Sequence, residues 1–249
     1  MATLFVDTLE PQSGTALTVG ESGQNTVIVG NDIRANVLQD AGGNAIFTSD
    51  GSGNVTGVNA DIGSSMALLQ TVTVSSAVAN IAFTSPGFTS TYDEYIFKFY
   101  NMAPATDDVN FTFQTSQDGG SNYNRNFVSA TSQTYNDEGA SAGAYVYSAA
   151  SDLPTGGGGA GQTNYQRLAN NIGNDADQSC NGTLSIGTPS ATNRFKMWWS
   201  RFSDAGESDY AKNDLFGGMV YQTAAIDAIN FKFSSGNIAA GKIKMFGLK

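Results

Sequence analysis

Large apolar residues alternate with polar residues in several separate segments of this chain. The alternation is clearest in segments 92–100, 109–114 and 229–234, where Tyr, Phe, Val or Ile recurs at every second position. Successive side chains of a β-strand point to opposite faces, so this period places one set in a core and the other towards water or a partner. We predict an all-β protein. Further strand candidates are 68–74, 78–83, 123–131, 143–147, 163–168, 181–187, 194–202, 215–222 and 242–248.

The composition favours many short strands joined by tight turns. Glycine is abundant, at 29 residues, only 14% of residues are charged, and no segment shows a convincing helical pattern. The number of strand candidates from residue 66 onward favours an antiparallel jelly-roll-like β-sandwich over a seven-stranded immunoglobulin-like sandwich. We therefore assign residues 66–249 to a C-terminal β-sandwich head, or knob.

Residues 1–65 form a different kind of segment. Their apolar residues come in ones to threes between turn signals at 40–44 and 50–54, which suggest a short repeat. So few apolar side chains cannot offset roughly 1–2 kcal/mol of backbone entropy per ordered residue. The segment is therefore either disordered or shares a core with neighbouring copies. Its strand–turn spacing favours the second alternative, and we predict an intertwined β stalk in a homotrimer.

Charge and residue usage exclude several kinds of site. The net charge is −10, from 22 acids and 12 bases, and the sequence shows no basic stripe, so neither nucleic-acid binding nor membrane insertion is expected. The chain has no histidine and one cysteine, Cys180, which rules out an intrachain disulfide and His-dependent catalytic triads. We expect Cys180 to be a small residue on a strand. No cofactor is expected.

Acidic pairs are the remaining route to chemistry. A hydrolase would need two cooperating carboxylates, and Asp175 and Asp177 have a spacing of two that could place both on one side of a strand. The same two residues are the candidates for a Ca²⁺ site, although the segment lacks the spacing and glycine of an EF-hand loop. Aspartates also collect at turns because their side chains bond local backbone. We favour that interpretation and predict no catalytic residue.

The two adjacent tryptophans should face opposite ways. Phe195, Met197 and Trp199 make the more apolar set, so we predict that Trp199 belongs to the core. Trp198 then covers a subunit boundary, packs ordinarily, or lies exposed where its indole could stack on a sugar ring. The subunit boundary is the favoured alternative.

Three loops are the candidates for receptor contact, since loops vary freely on a rigid sandwich. They are 116–122, 136–143 and the glycine-rich 154–162. The residues proposed for contact are Asp118, Asn122, Tyr123, Asp137, Gly157 and Gly158.

Four segments of the head carry distinctive motifs. They are 90–97 (Ser-Thr-Tyr-Asp-Glu-Tyr-Ile-Phe), 101–109 (Asn-Met-Ala-Pro-Ala-Thr-Asp-Asp-Val), 115–123 (Thr-Ser-Gln-Asp-Gly-Gly-Ser-Asn-Tyr) and 234–247 (Ser-Ser-Gly-Asn-Ile-Ala-Ala-Gly-Lys-Ile-Lys-Met-Phe-Gly). In this order they resemble a module of marine bacteriophage fibre and tail-fibre proteins. Segment 40–47 (Asp-Ala-Gly-Gly-Asn-Ala-Ile-Phe) is similar to the stalk repeats that precede that module.

The resemblance implies a structural, non-enzymatic virion protein. It would be a short trimeric tail fibre, attached to other virion proteins through residues 1–65 and displaying heads that recognise a glycan or protein on the host surface. A capsid head fibre or decoration protein is the alternative, and a polysaccharide-degrading tail spike is a further one. No secretion signal is evident, so we expect synthesis in the host cytoplasm and assembly into the virion.

Overall fold

The structure is a computed structural model that describes residues 37–39, 44–52, 54–58, 66–84, 87–137, 139, 143–147, 152 and 164–249. The chain divides into two units, Met1–Ile62 and Gly63–Lys249. Across the described ranges all regular structure is β-strand and the sheets are antiparallel, which confirms the prediction of an all-β fold. In those same ranges no helix is long and apolar enough to span a membrane.

The first unit contains a three-stranded antiparallel sheet of β1 (Val37–Gln39), β2 (Ala45–Ser49) and β3 (Val55–Val58). Its β2–β3 turn is closed by Asp50, whose carboxylate accepts hydrogen bonds from Ser52 N and Asn54 Nδ2, both at 2.7 Å. None of the described apolar side chains of this sheet is buried; Phe47 is 40% exposed and Val55 is 60% exposed.

The second unit is a sandwich of two antiparallel sheets. A four-stranded sheet has the order β10-β7-β14-β5, and an eight-stranded sheet has the order β4-β15-β6-β11-β12-β13-β8-β9. The strands are β4 (Met66–Val74), β5 (Ile81–Phe83), β6 (Glu94–Pro104), β7 (Val109–Ser116), β8 (Phe127–Asp137), β9 (Gly143–Tyr147), β10 (Gln166–Ile172), β11 (Cys180–Gly187), β12 (Lys196–Ala205), β13 (Tyr210–Val220), β14 (Ala228–Phe233) and β15 (Ile238–Leu248).

An aromatic core joins the two sheets. Phe231 of the four-stranded sheet packs between Phe97 and Phe99 of the eight-stranded sheet, with ring centroids 5.2 and 5.0 Å apart. Phe111 lies 5.5 Å from Phe99 and extends the cluster along the sheet. All of these rings are at most 1% exposed. The alternation predicted for β6, β7 and β14 therefore places its aromatic set in the core, as expected.

Strand β12 faces the opposite way from the prediction. Trp198 is 2% exposed and packs against Phe113 and Phe127, with centroids 5.1 and 6.1 Å away, whereas Trp199 is 55% exposed. The prediction that Trp199 is core was wrong, and Trp198 is neither a subunit-boundary nor a sugar-stacking residue but an ordinary core residue.

A buried lysine explains the reversal. Lys196 is on the inner face with Trp198, and its ammonium donates to the backbone carbonyls of Arg194, Gln222, Thr223 and Ala224 at 2.6–3.2 Å. These four acceptors offset the desolvation of the charge, although burial still lowers the pKa of Lys196. A charged residue could therefore occupy a position that the sequence pattern assigns to the solvent side.

A second buried polar cluster lies at the other end of β12. Asp204 lies inside the sandwich with Lys212 Nζ 3.2 Å from its Oδ1, within ion-pair distance. The Lys212 ammonium donates to the carbonyls of Asn170 and Asn171. Burial, opposed by the charge of Lys212, raises the pKa of Asp204 to about 7. Burial likewise raises the pKa of the neighbouring thiol of Cys180, which is fully buried as expected of a strand residue.

Removal of the Phe231 ring should destabilise the protein strongly. We expect Phe231→Ala to lower the free energy of unfolding by about 3–5 kcal/mol, because it leaves a cavity between the two sheets and removes several ring contacts. Leu68→Ala, at a position that is 53% exposed, is the matched control and should cost far less. Urea denaturation followed by tryptophan fluorescence measures both; equal losses would contradict the assignment of Phe231 to the core.

Stability should fall as the pH rises from about 4 to about 7. An unfolded Asp204 loses its proton near pH 3.8 and the folded one near 7, so in this window the folded state binds more protons and stability decreases with pH. The decrease is on the order of 4 kcal/mol, at about 1.4 kcal/mol per pH unit. Asp204→Asn should make the curve clearly shallower in denaturant titrations at a series of pH values, with a residual slope from Asp214, whose pKa burial also raises. Asp118→Asn removes an exposed carboxylate whose pKa is about 2, and it should leave the slope between pH 4 and pH 7 unchanged. A curve for Asp204→Asn that runs parallel to the wild-type curve would refute the assignment of this slope to Asp204.

Candidate functional site

The outer face of the eight-stranded sheet, the face turned away from the four-stranded sheet, carries most of the exposed apolar surface of the second unit. Among the described residues of this unit, nine large apolar side chains are exposed, and eight of them lie at outward positions of this sheet. Scattered exposed hydrophobes need no explanation, but a concentration on one face marks an interaction surface. The eight are Met66, Leu68, Tyr100, Tyr145, Tyr147, Met197, Trp199 and Leu215.

Strand register places four side chains in one row across this face. Arg201 is opposite Leu215, Leu215 is opposite Ser132, and Ser132 is opposite Tyr147. Directly opposed residues of antiparallel strands share a face, and neighbouring strands lie about 4.8 Å apart. The row therefore spans roughly 14 Å from β12 to the edge strand β9.

The next row contains a groove beside Trp199. Trp199 is opposite Gly217, and Gly217 is opposite Ala130. Because these two partners carry little or no side chain, a groove of about 520 Å³ is left, lined also by Leu215 and Tyr147. A Cβ atom built on Gly217 would have no neighbour closer than Trp198 O at 4.0 Å, so the groove persists because glycine leaves the space unfilled.

Polar contacts hold the two ends of this groove. At the edge strand, Asp152 accepts hydrogen bonds from the hydroxyl of Tyr147 and from Thr131 Oγ1, the latter at 2.8 Å. The hydrogen bond to Asp152, together with its charge, raises the pKa of Tyr147. At the other end, Arg201 Nε donates to Asn213 Oδ1 at 3.0 Å, which orients the guanidinium.

A larger polar groove of about 770 Å³ continues the same face beyond Arg201. Its lining includes the next row of the sheet, in which Asn181, Ser203, Asn213 and Thr134 are successive partners. Amide and hydroxyl groups of this kind both donate and accept hydrogen bonds. Together with the apolar groove, they form a surface that could bind an extended ligand bearing both apolar faces and hydroxyl groups.

One of the three loops predicted for receptor contact, 116–122, is a turn closed by hydrogen bonds to Asp118. Asp118 Oδ1 accepts hydrogen bonds from Ser116 Oγ at 2.7 Å and from Asn122 N at 2.8 Å, and its Oδ2 accepts from Asn122 Nδ2 at 2.7 Å. The hydrogen bond from the Asn122 side chain is the main reason why the pKa of Asp118 is lowered to about 2. Tyr123 is only partly exposed, and its hydroxyl is buried.

Of the other predicted site residues, Asp177 alone lines an outer-face groove, and the rest lie apart from these grooves or beyond the described ranges. Asp137 ends β8 and is partly buried. Asp175 and Asp177 are exposed on the bend between β10 and β11; only Asp177 contributes to the lining of the polar groove. In the part of the chain that the structure describes, no three His, Cys, Asp or Glu side chains are placed to hold a metal ion. Gly157 and Gly158 lie outside the described residues.

Sequence reasoning missed the residues of the apolar groove. Trp199 was assigned to the core, and Tyr147, Leu215 and Gly217 were not selected as site residues. A usable signal was present in β12, because Trp198, Ser200 and Phe202 continue one alternating set through the strand. The position of Tyr147 beside Leu215 depends on the pairing of β8 with both β9 and β13, which no local pattern reveals.

The fold and this surface define a β-sandwich module whose wider sheet presents an aromatic groove and an adjoining polar groove to solvent. Comparison with protein-family models, with curated proteins and with solved structures finds no match to this chain.

The hydrogen bonds that Asp118 accepts in its turn can be tested directly through the pKa of its carboxyl group. We expect the pKa of Asp118, measured by NMR titration of its side-chain carboxyl, to be about 2. Asn122→Ala removes the side-chain amide that donates to Asp118 Oδ2 and keeps the backbone donor, so it should raise that pKa part of the way towards 3.8. Asn174→Ala, which alters an exposed asparagine in another bend, serves as the control. An unchanged pKa in Asn122→Ala would contradict the hydrogen-bonded turn.

Proposed function

We propose that this protein is a non-enzymatic structural component of a bacteriophage virion, a short homotrimeric tail fibre whose heads recognise the host surface. The observation that carries the adhesive role is the solvent-exposed Trp199, which lies beside an apolar groove on a rigid sandwich. An exposed indole beside a groove is well suited to stack on the apolar face of a sugar ring. The polar groove beyond Arg201 would then bind the hydroxyl groups of neighbouring sugars.

The virion assignment is supported by the sequence resemblance. Its motif segments correspond to β6, the β6–β7 turn, the Asp118 turn and β15, and none of them contributes a residue to the lining of the aromatic groove. A shared framework with a variable binding face is the pattern that we expect of adhesive heads with different receptors. In this proposal the head is jelly-roll-like.

The trimeric stalk is supported by the small sheet of the first unit. Val37, Phe47 and Val55 are exposed there, and a three-stranded sheet without a covered face is marginal in water. Sister copies would cover these side chains if residues 1–65 wind together, and the same region would attach to other virion proteins. Three heads on one stalk gain avidity for a repeated glycan although each single groove binds weakly.

Binding of the purified full-length protein to an array of bacterial surface polysaccharides tests the adhesive role. We expect Trp199→Ala to weaken binding at least about tenfold, the effect of losing roughly 1.4 kcal/mol of stacking. Gly217→Leu should weaken it similarly, because the new side chain fills the groove where a Cβ meets nothing closer than 4.0 Å. Tyr221→Ala removes the one exposed large apolar side chain of this unit, among the described residues, that is off the outer face and should bind normally.

The assembly is measured on the same samples by light scattering. The expected mass is that of three 26.0 kDa chains, unchanged in all three variants. A monomer would contradict the fibre, and absence of binding to every polysaccharide would contradict the adhesive head. Loss of the trimer in Trp199→Ala would show instead that a second copy covers the groove.

A further inference from the structure

Four positively charged side chains gather on the outer face although they are far apart in the sequence. Lys244 is opposite Lys98, Lys98 is opposite Thr183, and Thr183 is opposite Arg201, all in the row that continues through Leu215 to Tyr147. Lys242 lies in the adjacent row, opposite Tyr100. At about 4.8 Å between strands, Lys98 is roughly 5 Å from Lys244 and roughly 10 Å from Arg201, measured between backbones.

Acidic side chains are few on the strands of this surface, although Asp152 lies beside Tyr147 at one edge and Asp177 and Asp209 line the polar groove. Of the outward positions on the eight strands, all within the described ranges, Glu94 is the one acidic residue, and it is hydrogen-bonded to Ser185. No described carboxylate lies within ion-pair distance of Lys98, Lys244 or Arg201. A chain with a net charge of −10 thus exposes a locally cationic sheet face.

Directly opposed like charges weaken strand pairing, so the Lys98–Lys244 pair costs stability in the unbound protein. Among the described residues, the ammonium of Lys98 donates only to Thr183 Oγ1, at 3.0 Å, and that of Lys244 lies 6.0 Å from the Tyr100 ring centroid. Arg201 uses its Nε for Asn213, and its terminal amino groups have no partner among the described residues. A bound anion between these groups would offset the repulsion and use the unpaired donors.

We propose that the outer face binds an acidic polysaccharide. One sugar ring would stack on Trp199, and carboxylates carried by the ring units along the row would pair with Arg201 and with Lys98 and Lys244. The planar guanidinium of Arg201 can bind a carboxylate through two parallel hydrogen bonds. The inference rests on the proposed adhesive function and names the chemical class of its ligand.

Two other occupants fit the same surface less well. A second copy of this chain would bury Lys98, Lys244 and Arg201 against an identical cationic face, which is costly unless each charge finds a partner. A nucleic acid carries a charge on every nucleotide and is repelled by a protein of net charge −10. A polysaccharide with one carboxylate per repeating unit is more sparsely charged and matches a few separated cations.

The test uses acidic polymers and their neutral counterparts. Full-length protein is titrated with galacturonan, alginate and hyaluronan, and with the carboxyl-reduced form of each, which keeps the sugar backbone but removes the charge. We expect at least one acidic polymer to bind about tenfold or more tightly than its reduced form, and added salt to weaken that binding.

Matched variants separate charge from stacking. Arg201→Gln and the double variant Lys98→Gln/Lys244→Gln should lose about tenfold in affinity for the acidic polymer and bind its reduced form unchanged. Lys232→Gln removes a cation from the four-stranded sheet, where it covers the Tyr165 ring, and should behave as wild type. Trp199→Ala should weaken binding of both forms.

The outcomes distinguish the two proposals. Equal binding of each acidic polymer and its reduced form, weakened by Trp199→Ala and not by the charge variants, would overturn the acidic ligand and leave the adhesive head standing. Binding of oligothymidylate at the same affinity, lost in the same charge variants, would show a general polyanion surface and overturn the glycan assignment. Absence of binding to every polysaccharide, neutral ones included, would overturn both.

Discussion

The aromatic packing between the two sheets determines what the rest of this molecule can present to solvent. Phe231 is enclosed by Phe97, Phe99 and Phe111, and this interlocking fixes which face of each strand is buried. Since adjacent strand residues point to opposite faces, the burial of Trp198 against Phe113 requires Trp199 to face outward. The exposed indole is a direct consequence of the core and not an independent surface feature.

How far local sequence patterns predict this fold depends on whether the buried face is apolar. In β6, β7 and β14 the inner residues are aromatic or aliphatic, and the period of two predicts their orientation. In β12 the inner set begins with Lys196 and ends with Asp204, so hydrophobicity alone selects the wrong face. The charge of Lys196 is satisfied by carbonyls of residues 222–224, partners that only the folded chain brings within reach.

The hydrogen bonds within turns can be predicted from the sequence more readily than the arrangement of charged side chains on the sheet surface. The turns at 50–54 and 118–122 both begin with Asp and end with Asn, and in each the aspartate accepts from the backbone and side-chain amides of that asparagine. Such contacts are local and therefore visible in the sequence. The cationic row is not, because Lys98, Arg201 and Lys244 become neighbours only through the strand order β15-β6-β11-β12. The linear sequence shows no basic stripe, whereas the fold brings these three cations into one row.

The molecule tolerates unfavourable electrostatics in two places, and the two differ in kind. Asp204 and Lys212 lie inside the sandwich, where their ion pair offsets part of the cost of burial. Lys98 and Lys244 face solvent without a carboxylate partner in the described residues, so their repulsion is reduced only by water, salt and the hydroxyl of Thr183. An exposed lysine could be replaced by a neutral residue without disturbing the core. The presence of this row beside a half-exposed tryptophan is therefore better explained by the proposed ligand than by folding, and a shallow groove of modest affinity would be sufficient if three heads act together as proposed.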